Sequence, residues 1–96
     1  MIKRIVKMSF KPENIEAFKT IFETNWTKIK GFDGCTHVEL LQDVNNPNSF
    51  FTYSLWQSEE HLNNYRNSEL FNGVWAATKV LFNERPQAWT VNQVLF

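Results

Sequence analysis

Tyr65, Arg66 and His37 are the side chains of this 96-residue sequence best suited to handling a proton or a developing negative charge. A phenol can donate a hydrogen bond to an oxygen that gains charge, and a guanidinium can hold a phenolate or a carboxylate. These three are the catalytic candidates. Around them stand large aromatic residues at helical spacing, Phe22 and Trp26 in one stretch, then Tyr65, Phe71 and Trp75 in the next two. Such a set either fills a core or walls a pocket for a flat aromatic molecule, since Trp and Tyr each carry a polar atom that seeks a partner. These five are the substrate-binding candidates.

Other chemistry finds little support. His37 and Glu39 lie at i, i+2 on one strand face and could offer two metal ligands, but the only other histidine is His61, on a helix, and one cysteine is left over. A structural zinc takes four such ligands, so no metal site is expected. Cys35 follows Gly34 with no cation close in sequence, which fits an inert buried thiol. No phosphate-binding glycine loop, Gly-x-Ser-x-Gly or Cys-x-x-Cys occurs.

The elements that must position these residues are legible from pattern. Ile2 to Phe10 alternates as a strand, with Ile2, Val6, Met8 and Phe10 on one side. Apolar residues from Ile15 to Ile29 recur at helical spacing, and Gly31 ends that helix. Cys35–Gln42 and Phe50–Trp56 are β-formers joined by the turn-rich Asp43–Asn48, an antiparallel hairpin. Ser58, followed by Glu59 and Glu60, opens a second helix; Ser68 caps a third, whose apolar face runs on to Asn83. Ala88–Phe96 is the last strand. The order β-α-β-β-α-α-β predicts an α+β, ferredoxin-like four-stranded antiparallel sheet with helices on one face, a single domain over 1–96.

Both faces of that sheet carry apolar residues. Ile5, Phe50 or Phe51, Trp89 or Val91, and Leu95 cannot all point at the helices, because neighbours on a strand alternate sides. A second layer is needed, and a homodimer supplies it. Nine Phe, four Trp and two Tyr point the same way, being many for so small an interior. Ten acidic and ten basic residues leave no net charge, and no basic stripe forms, which argues against nucleic acid. Apolar runs are far too short for a membrane span, and the N-terminus lacks signal-peptide features. The expected location is cytoplasmic.

Gly34-Cys35, Glu39, Asn46-Pro47, Trp56, Ser58-Glu59-Glu60 and Ser68-x-x-Phe71 together resemble the antibiotic biosynthesis monooxygenase domain family, over nearly the whole chain. The resemblance implies a dimeric α/β barrel. Members act as cofactor-free oxygenases on electron-rich polyphenols, as quinol monooxygenases or as haem-degrading enzymes. The haem-degrading members use an Asn, a Trp and a His that fall here at Val6, Tyr65 and Trp75, so none is retained. Histidines that other members carry fall at Tyr65 and Leu70. The resemblance thus implies a cofactor-independent monooxygenase on a small aromatic, quinol or polyketide-like substrate in a helix–sheet pocket, with no cofactor. The alternative is a non-catalytic small-molecule-binding or accessory dimer of the same fold.

Overall fold

A computed structural model describes all residues, Met1–Phe96. The chain folds as β1 (Ile2–Ser9), a 3₁₀ turn at Pro12–Asn14, α1 (Ile15–Lys30), β2 (Cys35–Gln42), β3 (Ser49–Trp56), α2 (Glu59–Arg66), α3 (Glu69–Lys79) and β4 (Gln87–Asn92). The strands form one antiparallel sheet in the order β2-β3-β1-β4, the ferredoxin-like arrangement expected from the pattern.

Local chemistry explains the boundaries. The Ser58 hydroxyl accepts from the His61 backbone N–H at 3.2 Å, and the Ser68 hydroxyl accepts from the Phe71 N–H at 3.1 Å. Each thereby satisfies an amide that its helix leaves unpaired. In the β2–β3 turn, Asp43 accepts from the Asn45 N–H and Asn46 from the Asn48 N–H, the local bonding that favours these residues in turns.

Two ends fall short of the sequence reading. The last strand stops at Asn92, not Phe96, because Asn92 pairs with Ile2, the first residue of β1. Beyond it no strand residue is left to pair with in this chain. The third helix ends at Lys79, and Phe82 leaves it to bridge with Phe10 and pack on its ring at 5.3 Å.

Strand alternation sorts the two faces. Met8, Phe50, Trp56 and Val38 point towards the helices and are buried. Met8, Phe10, Phe18 and Phe50 form the core, with Phe10 fully buried and stacked on Phe18 at 4.2 Å. Each such Phe contributes about 1.5–3 kcal/mol by burial. The opposite face has no cover within the chain. Register aligns Leu41 with Phe51, Tyr53 with Ile5 and Trp89, and Leu55 with Lys3 and Val91 across it. Leu41, Trp89 and Val91 are each more than two-fifths exposed, as are Val94, Leu95 and Phe96 beyond the sheet.

Gly34, at the entrance to β2, holds the hairpin to α2. Its φ is 88°, and a Cβ there would fall on the His61 ring. Left-handed backbone costs a side chain about 1–2 kcal/mol, and overpacking about 1–3 kcal/mol. Gly34→Ala should therefore lose about 2–5 kcal/mol of stability in urea unfolding. A loss below about 1 kcal/mol would mean that α2 simply moves aside.

Candidate functional site

Between the sheet and the helices lies a cavity of ≈ 340 Å³. That volume falls within the range of small-molecule sites. β1 supplies Arg4 and Val6, α1 supplies Phe22, and β3 supplies Trp56. α2 brings Tyr65 and Arg66, while α3 brings Phe71 and Trp75. The bend at Ser68 makes this possible. Its hydroxyl donates to the Tyr65 carbonyl at 2.6 Å while capping α3, so the two short helices turn about one residue.

The aromatic wall is continuous. Tyr65 stacks on Trp56 with ring centres 4.9 Å apart and meets Phe71 edge-on at 5.3 Å. Phe71 in turn lies nearly parallel to Trp75 at 5.9 Å. Phe32, in the loop before β2, closes the far side of Tyr65 at 5.3 Å. Trp56 is buried with its indole N–H donating to the Ser54 hydroxyl at 2.9 Å.

The ionisable groups of the cavity are Arg4, Arg66 and Tyr65. No His, Asp, Glu or Lys lines it. Tyr65 and Trp75 make no side-chain hydrogen bond within the chain, and no buried side-chain polar atom is left unpaired. The phenol and the indole N–H are therefore open donors. Burial, with a smaller contribution from Cys35, pushes the Tyr65 pKa from 10.0 up to about 12, so the phenol stays protonated and can only donate near neutrality. Burial also raises the Cys35 pKa, outweighing the lowering contributions of the His37 backbone and the Lys30 charge. Cys35 is a thiol. No three His, Cys, Asp or Glu side chains gather where they could hold a metal ion.

Of the residues singled out in the sequence, Phe22, Tyr65, Arg66, Phe71 and Trp75 come together here. Trp26 stands outside the cavity. Its indole N–H donates to the Val38 carbonyl at 2.9 Å, and the Lys30 ammonium sits over its ring at 4.7 Å. His37 lies on the opposite, uncovered sheet face, in register with Leu55 and 3.2 Å from Glu39. Arg4 was not among the candidates. Alternation does put it between Ile2 and Val6 on the helix-facing side of β1, and a charge at such a position is the signal that would have found it.

The family model for antibiotic biosynthesis monooxygenases matches residues 1–75. The chain belongs to this family. Its fold recurs in an antibiotic biosynthesis monooxygenase structure, with 19% identity and a TM-score of 0.92 over 99% of this chain and 100% of that one. A conserved protein of Methanosarcina mazei superposes with a TM-score of 0.92 at 17% identity, covering 96% and 91% of the two chains. Rv0793 of Mycobacterium tuberculosis gives 0.90 at 15% identity, covering 99% and 96%. At such identities the likeness is one of fold. No curated protein matches the sequence. Within this antibiotic biosynthesis monooxygenase fold, the cavity is bounded by the residues on either side of Ser68, and the model match runs through Trp75. No helix is long and apolar enough to cross a membrane.

Proposed function

We propose that this family member binds a small planar phenol, quinol or anthrone in the helix–sheet cavity and oxygenates it without a cofactor. The observation that carries the reading is Tyr65, a phenol kept protonated in an aromatic wall with its hydroxyl unpaired. A bound substrate that ionises readily becomes electron-rich enough to reduce oxygen itself. In an anthrone, the ring methylene loses two hydrogens; one oxygen atom becomes the new carbonyl and the other leaves as water. The substrate supplies all four electrons. The protein's part is to exclude water, fix the ring and hold charge on the substrate oxygen through Tyr65. We place the working unit as a homodimer, closed through the uncovered sheet face, with the cavity on the other side of each sheet.

The absence of a carboxylate or imidazole from the lining favours a second reading, a binding protein of the same fold that performs no chemistry. Oxygen uptake with a panel of quinols and anthrones separates the two. Stoichiometric uptake above the uncatalysed rate is expected for at least one compound that also binds. Tight binding across the panel with no uptake would remove the oxygenase reading and leave the binder.

A further inference from the structure

We infer that the ligand of this cavity is a planar aromatic acid, its carboxylate held between Arg4 and Arg66. This rests on the pocket reading above and adds the charge of the molecule that fills it. Both guanidinium-bearing residues line the one cavity, and no acidic residue lines it with them. The ion pairs of the chain are Lys19 with Glu16, His37 with Glu39 and His61 with Asp33, so neither arginine belongs to one.

Arg4 is the more telling of the two. It sits mid-strand on β1, paired across to Ser54 and Thr90, and is half-buried. A guanidinium there gives up part of its hydration and gains no counter-charge from the chain, so an anion in the cavity would find it unpaired. Burial and, second, repulsion from Arg66 lower its pKa, in keeping with two cations that face a shared space. One of its nitrogens donates to the Thr90 hydroxyl at 2.7 Å. That bond fixes the side chain and leaves its other donors free. Arg66, at the last turn of α2, is exposed and makes no side-chain hydrogen bond, so it can swing onto the same anion.

The alternative for a strand arginine is to lay its stem on apolar wall and put its head in water. The bond to Thr90, itself exposed, fixes where that head lies, and the cavity lining includes Arg4. Tyr65 and Trp75 add open donors, the remaining polar lining of Thr52, Ser54, Thr78 and Gln87 is neutral, and no carboxylate stands in the cavity to repel an anion. Planar guanidinium forks match a carboxylate, and the stacked rings match a flat aromatic body.

Calorimetric titration of the full chain with naphthalene-2-carboxylate and with its neutral amide tests this, because the two probes share shape and differ in charge. The acid should bind about tenfold more tightly than the amide, the return expected for a charged hydrogen bond. Arg4→Gln and Arg66→Gln should each weaken acid binding by about tenfold and leave amide binding within about twofold. Equal affinity for acid and amide would overturn the inference and leave the pocket standing. So would a preference for the acid that survives both substitutions. Binding of neither probe would overturn the pocket reading and this inference with it. Arg66 is exposed, so its variant decides the question even if Arg4→Gln does not fold.

Discussion

Trp89→Asp should turn the proposed homodimer into a folded monomer. Trp89 stands on the uncovered sheet face, across from Ile5, with Tyr53 beyond it on β3. It is 44% exposed in the isolated chain, so an aspartate there costs the protomer little. In a two-fold dimer closed through this face, the same change buries an unpaired carboxylate twice. Each such charge costs several kcal/mol, so the dimer should weaken by about 10⁴-fold or more. Sedimentation at micromolar concentration reads the change, and circular dichroism reports whether the protomer survives. Trp89→Phe, which keeps the apolar surface, should remain dimeric. A Trp89→Asp protein as dimeric as the parent would mean that the sheet face is not where the copies meet.

The face that this experiment tests was visible in the sequence only as a surplus. Phe50 and Phe51 are adjacent aromatics, and nothing in their types says which one looks inward. Register decides: Phe50 pairs with Met8 and is buried in the core, while Phe51 lies opposite Lys7 on the uncovered side. The element order was easier to read, because caps and breakers act locally. Ser58, Ser68 and Gly31 each mark a helix end where the structure has one. Trp26 shows the limit of helical periodicity. Its stripe on α1 is broad, and residues at the stripe's edge meet β2 rather than the cavity, as the bond to Val38 records. The convergence of Arg4 with Arg66 was out of reach, since their meeting depends on how α2 crosses the sheet from sixty positions away in the chain. A charge between Ile2 and Val6 gave only half of that pair.

Tyr65→Phe should lower turnover by about 10²–10³-fold, the usual cost of removing one donor from a developing oxyanion. Binding should scarcely change, because the ring keeps its place against Trp56, Phe32 and Phe71. The distinction matters: a loss in kcat with KM unchanged marks an interaction made in the transition state, whereas a purely structural residue would move both or neither. The pH profile gives a second readout. With its pKa raised to about 12, the phenol remains a donor throughout the range in which quinols and anthrones ionise. Rate should therefore rise with ionisation of the substrate at the same pH in both proteins. Any fall at high pH that belongs to Tyr65 should begin only as pH nears 12, where the wild type loses its donor, and it should be missing from Tyr65→Phe. Stopped-flow oxygen consumption with one anthrone, from neutrality to the stability limit, measures both. Equal kcat in the two proteins would reduce Tyr65 to a piece of wall. The substrate oxygen's charge would then fall to the arginines, the only other donors here that carry a full positive charge.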